Sequence, residues 1–140
     1  MIEGHDYHTS LLVVQPTPFC NINCSYCYLP NRTSRRQLSF ELAEIAFSRL
    51  LRFPTIEKGV TIVWHAGEPF VLPVTYYERM FEIIASVTPL GLQVSHSFQT
   101  NGTLISNEWC EFINSHNISI GVSIDGPEEL HNLTPAMDKG

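Results

Sequence analysis

Leu11-Leu-Val-Val-Gln-Pro-Thr-Pro-Phe-Cys20-Asn-Ile-Asn-Cys24-Ser-Tyr-Cys27 joins a short apolar run to three cysteines that lie within eight residues. Thiolates are the preferred ligands of iron–sulfur clusters, and this spacing can direct three sulfurs at three corners of one cubane. Because a cubane has four irons, one iron would lack a protein ligand. The sequence therefore predicts a cluster at Cys20, Cys24 and Cys27 that keeps one coordination position open for chemistry.

A zinc site is the alternative for this cysteine loop. Structural zinc takes four ligands, commonly as paired Cys or Cys/His sets. The sequence has no second pair, and the other candidate ligands, Cys110, His65 and His96, are scattered. An open set of three thiolates suits a cluster better than a closed zinc tetrahedron. Cys110 falls on a predicted helix, where we expect it to pack in the core as a small apolar residue.

Composition and charge exclude several classes of protein. The 140 residues are 44% apolar, enough for the core of one ordinary domain. A net charge of −6 and a pI near 5.4 argue against a nucleic-acid binder. No apolar stretch is long enough to span a membrane, and residues 1–6 are too polar for a secretory leader. We therefore expect a cytoplasmic protein, in which clustered cysteines indicate metal binding or catalysis rather than disulfides.

Basic residues cluster just after the cysteine loop, at Arg32, Arg35 and Arg36. A solvated turn is the simplest interpretation of this cluster. Contact with a phosphate or an acidic peptide is the alternative.

Apolar periodicity predicts an alternation of strands and helices. β-Branched, apolar runs predict strands over residues 11–15, 60–65, 94–100 and 119–124. Helical spacing predicts three helices. The first has Ser39 as its N-cap and ends at Pro54, the second begins after Pro73 and stops before Pro89, and the third is capped by Ser106. Such alternation, with largely apolar strands, predicts an α/β fold whose parallel sheet is covered by helices.

Each predicted helix has one apolar face that we expect to pack on the sheet. The first helix presents Leu42, Ile45, Ala46, Leu50 and Phe53. The second helix presents Tyr76, Tyr77, Met80, Phe81, Ile84 and Val87, and the third presents Trp109, Phe112 and Ile113.

Polar loops follow all four predicted strands. The cysteine loop follows the first, and the others are His65-Ala-Gly-Glu-Pro69, Gln99-Thr-Asn-Gly102 and Ser123-Ile-Asp-Gly-Pro127. In α/β proteins ligands bind beyond the carboxyl ends of the strands. We therefore expect these four loops to form one site.

Taken together, these loops resemble those of radical S-adenosylmethionine (SAM) enzymes. The Cys-x3-Cys-x-Tyr-Cys loop and Ala-Gly-Glu-Pro resemble the motifs that are typical of the superfamily as a whole. Trp64-His-Ala-Gly-Glu-Pro69, Gln99-Thr-Asn-Gly-Thr103 and Ser123-Ile-Asp-Gly-Pro127 resemble maturases with a SPASM auxiliary-cluster domain, which include the anaerobic sulfatase-maturating enzymes. Gln15-Pro-Thr-Pro-Phe-Cys20 and Tyr28-Leu-Pro-Asn-Arg32 look closest to Grr-type maturases, which form cyclophane crosslinks in ribosomal peptides.

This resemblance implies a fold and two cofactors. The fold would be a partial (β/α)6 barrel, of which residues 1–140 form an incomplete N-terminal portion with about four strands and three helices and no SPASM domain. Cys20, Cys24 and Cys27 would hold a [4Fe–4S] cluster, and SAM would bind the fourth iron. In that family, reductive cleavage of SAM yields a 5′-deoxyadenosyl radical that abstracts hydrogen from an unactivated carbon.

The resemblance also implies which residues contact SAM. Tyr26 would lie against the adenine, with buried packing as the alternative. Gln99 and Asn101 would contact the ribose or the substrate, although Asn-Gly is also a common turn signal. Asp125 would orient SAM or substrate, and a turn role for Asp-Gly-Pro is equally open.

A second set of SAM contacts would come from the loop after the second strand. Gly67, Glu68 and Pro69 match the family's Gly-Gly-Glu-Pro loop, whose polar groups hold the SAM ammonium. Ala66 stands where that pattern has its first Gly. His65 lies beside this loop, and its role is left open.

The function implied for the parent enzyme is radical crosslinking of side chains in a ribosomally made precursor peptide. Oxidation of a hydroxyl or thiol side chain to formylglycine is the second candidate, and a catalytically inactive remnant or one half of a split enzyme is the third. The implied partners are the precursor peptide, an electron donor of the flavodoxin or ferredoxin type, and a C-terminal chain that completes the barrel.

Overall fold

Four parallel strands form a single sheet in the computed structural model, which describes residues 7–131. The strands are β1 (Leu11–Val14), β2 (Gly59–Trp64), β3 (Gln93–Thr100) and β4 (Ser119–Val122), and they pair in that order. The helices are α1 (Phe40–Leu50), α2 (Val74–Val87), α3 (Asn107–Ser115) and α4 (Glu128–His131), with a 3-10 helix at Pro69–Val71. The predicted α/β fold with a parallel sheet is confirmed.

The register separates the two faces of the sheet. Leu12 pairs with Ile62, and Trp64 pairs with Phe98, so these side chains share one face. That face packs against α1, α2 and α3 and forms the core. On the opposite face Leu11 and Val13 are exposed, as are Ser95 of β3 and Ser119 of β4. Among the described residues, the helices therefore cover one face of the sheet only.

Trp64 lies at the centre of the core. Its side chain is fully buried, and its ring contacts Tyr77 edge-on at 5.5 Å and Phe98 at 6.2 Å. Aromatic pairs at such distances contribute beyond the area that they bury. These contacts fix the carboxyl ends of β2 and β3 relative to α2, and the next residues of both strands enter the polar loops.

The predicted apolar face of α1 is wrong at three of its five positions, while Ala46 and Leu50 are half-buried. Leu42 and Ile45 are 56% and 53% exposed, and Phe53 beyond the helix is also exposed. The buried residues of the helix are Ala43 and Phe47. Residues one position apart on a helix lie about 100° apart, so the stripe through residue 43 faces the sheet while that through residue 42 faces solvent.

The predictions for α2 and α3 hold in most details. α2 begins after Pro73 and buries its predicted stripe up to Ile84. The Ser106 hydroxyl caps α3 by accepting the Trp109 N–H at 3.3 Å. Cys110, however, is exposed, which contradicts its predicted core position. Because Trp109 faces the sheet, its neighbour Cys110 is turned towards solvent.

In the described part of the chain, no helix has the length and apolar character that crossing a membrane requires.

Candidate functional site

One cavity of about 250 Å³ lies at the carboxyl ends of the strands. The loops after all four strands contribute to its lining, as predicted. Its wall includes Cys20, Cys24, Cys27, Tyr26, His65, Ala66, Gly67, Glu68, Gln99, Asn101 and Asp125. Pro69 is the one predicted site residue outside the lining; it is buried at the start of the 3-10 helix, where its carbonyl accepts the Tyr77 hydroxyl.

The three cysteines of the loop are free and half-buried. Burial raises the pKa of the Cys20 thiol, while the Ile22 backbone and the Asn101 amide lower it. Across residues 7–131, no three or more His, Cys, Asp or Glu side chains surround a position for a single metal ion. The donor set fits a cluster, because a cubane offers each thiolate its own iron and the sulfurs need not converge on one point.

Arg32 holds the cysteine loop through two hydrogen bonds to its backbone. Its carbonyl accepts the Cys20 N–H at 3.1 Å, and its guanidinium donates to the Cys24 carbonyl at 3.1 Å. The Cys27 N–H also donates to the Cys24 carbonyl. The loop has no regular secondary structure, so these bonds supply partners for backbone groups that would otherwise be unsatisfied.

Gly67 allows the β2 loop to pack on the chain that leads into the cysteine loop. Its φ is 65°, and a Cβ there would overlap the carbonyl oxygens of Thr17 and Phe19. The following N–H, of Glu68, donates to the Phe19 carbonyl at 2.8 Å. The close backbone approach expected of Gly67 is therefore made to the protein chain itself.

Ala66 adopts the left-handed conformation, with a φ of 71°. Side chains with a Cβ rarely occupy this region, whereas glycine enters it freely. This explains in physical terms why glycine suits the position, and it means that Ala66 carries backbone strain.

Glu68 is a buried carboxylate that the chain itself satisfies. The residue is 1% exposed. Its Oε1 accepts the Phe70 N–H at 2.9 Å and the Thr100 hydroxyl at 2.7 Å, and its Oε2 accepts the Asn101 N–H at 2.7 Å. Burial raises its pKa, and these three donors act in the opposite direction. Glu68 thus joins the β2 loop to the β3 loop, and its predicted contact with the SAM ammonium stays a prediction.

Asn101 joins the β3 loop to the cysteine loop. Its Nδ2 donates to Asn21 Oδ1 at 2.9 Å and lies 3.9 Å from Cys20 Sγ. Asn21 in turn donates to the Thr103 hydroxyl at 2.8 Å. Asn21, Thr103 and Arg32 were not predicted as site residues. Their contacts depend on side chains up to 82 positions apart, which no local spacing indicates.

Gln99 and Tyr26 make contacts with the β4 loop. Gln99 Nε2 donates to the Ser123 hydroxyl at 3.0 Å, and its amide lies against Gly121, where a Cβ would collide with it. The Tyr26 hydroxyl donates to both carboxylate oxygens of Asp125, at 3.0 and 2.8 Å. This bond raises the pKa of Tyr26. The Tyr26 ring is 59% exposed, so it is not packed in the core.

Two histidines, His65 and His96, occupy different parts of the molecule. His65 lines the cavity next to Ala66. His96 lies in the core, where its Nδ1 accepts the Trp64 indole N–H at 3.2 Å and its ring stacks on Phe81 at 3.7 Å. Burial lowers the pKa of His96 to about 4. His96 is therefore a hydrogen-bonded core residue and does not line the cavity.

Relatives of known activity match most of this chain. It is 35% identical over 119 residues to a serine-type anaerobic sulfatase-maturating enzyme of Bacteroides thetaiotaomicron. That match covers 81% of this chain and 28% of the relative. The chain therefore spans about a third of the length of the relatives that it matches.

Solved structures share the fold. The structure of anSMEcpe with bound AdoMet and Cp18Cys peptide matches with a TM-score of 0.80 and 28% identity, over 93% of this chain and 35% of that one. Streptococcus suis SuiB bound to precursor peptide SuiA matches with a TM-score of 0.62 and 19% identity, over 93% of this chain and 27% of that one, which shows the fold alone.

The family model described as the Radical SAM superfamily matches residues 14–139. Its matched region runs from the end of β1 through all four loops of the site. The cofactors of this family are a [4Fe–4S] cluster and SAM, in agreement with the prediction. On the match to this model and on its relatives, the chain belongs to the radical SAM superfamily.

Proposed function

We propose that residues 1–140 form the N-terminal, cluster- and SAM-binding portion of the core of a radical SAM maturase that modifies a ribosomally made peptide. The observation that carries the proposal is the single cavity that three free cysteines share with the ends of β2, β3 and β4. Three other surface pockets lack this combination: one contains Cys20 but is lined by the cysteine loop and its flank alone, and the other two contain no cysteine.

The proposed roles follow from the position of each side chain. Cys20, Cys24 and Cys27 hold the cluster. The Ala66–Glu68 backbone, Gln99 and Asp125 line the part of the cavity that remains for SAM. When bound, these cofactors would supply a 5′-deoxyadenosyl radical for hydrogen abstraction. Tyr26 and Asp125 close the cavity between the cysteine loop and the β4 loop through their hydrogen bonds.

The reaction of the complete enzyme has two candidates. Carbon-centred crosslinking of peptide side chains is favoured by the Grr-like sequence around the cysteine loop. Oxidation of serine or cysteine to formylglycine is favoured by the 35% identity to a sulfatase-maturating relative. Crosslinking and serine oxidation both remove two hydrogens, but only formylglycine gives an aldehyde that a hydrazide reagent captures. Hydrazide labelling of the product peptide therefore distinguishes them.

Activity requires more chain than these residues. β4 pairs only with β3 among the described strands, and one face of the sheet is open. An open edge is a site for further strand pairing. We propose that the remaining strands of the barrel come from further sequence of the same protein or from a completing chain. Without these strands, residues 1–140 would bind the cofactors but turn over no substrate. That case corresponds to the catalytically inactive remnant.

The proposed electron donor is a small acidic redox protein of the flavodoxin or ferredoxin type. Residues 7–40 contain no Asp or Glu, although the chain carries a net charge of −6. Arg35 and Arg36 are exposed in this stretch, and Arg35 lies 4.2 Å above the ring of Phe19, the neighbour of Cys20. A positive surface next to the cluster attracts an acidic donor. The free cysteines fit a reducing, cytoplasmic location.

Anaerobic reconstitution with iron and sulfide tests the proposal. We expect four irons per chain and a reduced-cluster electron paramagnetic resonance signal that changes when SAM is added. A signal that does not respond to SAM contradicts SAM binding by this chain. Recovery of one zinc ion per chain, with no cluster, contradicts the cluster site itself.

A further inference from the structure

The side-chain amide of Asn101 is held in one orientation by its own turn. Its Oδ1 accepts the backbone N–H of Thr103 at 2.9 Å and the hydroxyl of Thr103 at 2.7 Å. A backbone N–H can only donate, so the amide atom that faces it must be the oxygen. The opposite end of the amide, Nδ2, is therefore fixed as the group that faces the cysteine loop.

That Nδ2 group has two hydrogens and two acceptors. Asn21 Oδ1 lies 2.9 Å from Nδ2, and Cys20 Sγ lies 3.9 Å from it, a distance that is long for an oxygen acceptor but within reach for a sulfur acceptor. The backbone N–H of Asn101 is bound to Glu68 at 2.7 Å. The backbone N–H and the side-chain amide of Asn101 are thus already engaged within the chain.

We propose that Asn101 is a positioning residue for the cluster: its amide N–H donates to the Cys20 sulfur and makes the cluster easier to reduce. The inference rests on the proposed function, in which Cys20 is a cluster ligand. An N–H directed at a thiolate stabilises negative charge on the sulfur, and the reduced cluster carries one electron more than the oxidised one. Hydrogen bonds to the sulfurs are among the factors that set the reduction potentials of such clusters.

The proposal differs from a SAM contact in what it predicts without SAM. If Asn101 acts on Cys20, its effect on the cluster is present before SAM binds. If Asn101 only contacts SAM, substitution changes SAM affinity and leaves the cluster alone. The network of Asn101, Asn21 and Thr103 is formed in the protein itself, which favours the first case.

The test is a potentiometric titration of the reconstituted protein, followed by electron paramagnetic resonance in the absence of SAM. In each titration one electron passes from the mediator to the cluster, and no bond changes. We expect a more negative midpoint potential for Asn101→Ala, which removes the N–H donor. Asn101→Asp should shift it further in the same direction, because it places a carboxylate oxygen against the sulfur. Asn23→Asp is the matched control: it adds the same charge at an exposed position of the cysteine loop.

The outcomes separate this inference from the proposed function. Equal potentials for wild type and Asn101→Ala, with four irons per chain in both, overturn the role of Asn101 and leave the cluster intact. A shift in Asn101→Asp that Asn23→Asp reproduces, with none in Asn101→Ala, assigns the effect to net charge and also overturns it. A wild-type chain that assembles no cluster refutes the proposed function instead. If Asn101→Asp fails to assemble, Asn101→Ala decides the test.

Discussion

The carboxylate of Glu68 accepts the backbone N–H of Asn101 at 2.7 Å, so the loop after β2 and the loop after β3 are joined through a buried charge. Thr100 and Phe70 supply the other two donors. A buried carboxylate is costly unless hydrogen bonds replace its water. Here three donors do so, and the same group that shapes the cavity holds its walls together.

Glu68→Gln should therefore destabilise the protein although the shape is conserved. The amide keeps one acceptor oxygen, but its Nε2 would face the N–H of Asn101, donor against donor. Leaving buried hydrogen-bonding groups unsatisfied costs about 1–3 kcal/mol. We expect a loss of this size in the free energy of unfolding by urea. Glu78→Gln on the exposed surface of α2 is the control and should have little effect. Equal stability of Glu68→Gln and wild type would contradict the role given to the carboxylate.

Gly67→Ala should disrupt the contact between the β2 loop and the chain before Cys20. The new Cβ meets backbone atoms, 2.7 Å from the Phe19 oxygen, and these cannot move aside as a side chain would. Gly91→Ala is the matched control, since Gly91 also has a positive φ, 85°, but has open space around it. Both variants bear the conformational cost of about 1–2 kcal/mol. We expect Gly67→Ala to lose clearly more unfolding free energy and to bind less iron, and similar losses would refute the packing argument.

Ala66→Gly should stabilise the chain. The left-handed conformation costs a residue with a Cβ about 1–2 kcal/mol, and the added freedom of glycine in the unfolded chain offsets about 0.4–1 kcal/mol. A net gain of about 0.5–1 kcal/mol in unfolding free energy is expected. Ala46→Gly, within α1, should instead lose about 1 kcal/mol. A loss in both variants would show that Ala66 bears no strain.

The sequence was sufficient to predict the sheet, because β-branched runs bounded by polar loops have few other arrangements. The helix caps Ser39 and Ser106 were also predictable, because a serine before a helical run accepts a backbone N–H of the first turn. The inward face of α1 was not. Leu42 and Ile45 are as apolar as Phe47, and only the packing against β2 and α2 decides which stripe is buried.

The contents of the site were predictable, whereas its internal bonds were not. Motifs after the four strands marked nearly every residue that lines the cavity. Glu68 and Asn101 were predicted to meet SAM, and the sequence contained no sign that they are first bonded to each other. Such bonds depend on the distance between loops 33 residues apart in the chain, which is set by the sheet register.

Acid should destabilise the protein through His96. The pKa of His96 is lowered to about 4 by burial, while the unfolded chain has an ordinary value of about 6.5. Between these values the unfolded state binds the proton and the folded state does not. The contribution of His96 to stability is therefore fully present above pH 6.5 and is lost as the pH drops towards 4. The loss amounts to about 3 kcal/mol in total. His96→Phe should flatten this part of the profile of unfolding free energy against pH, and an unchanged slope would assign it to other groups.

Reversing the charge near the cysteine loop should slow reduction by a protein donor. In Arg35→Glu/Arg36→Glu two exposed cations of the carboxylate-free stretch become anions. We expect the rate of cluster reduction by reduced flavodoxin, followed by stopped flow at low salt, to fall about tenfold or more. Reduction by dithionite should change little by comparison. Arg49→Glu/Arg52→Glu, at the far end of α1, is the control with the same charge change. Equal slowing in both double variants would mean that the donor responds to net charge alone. No slowing in either variant would refute a docking surface for the donor at Arg35 and Arg36.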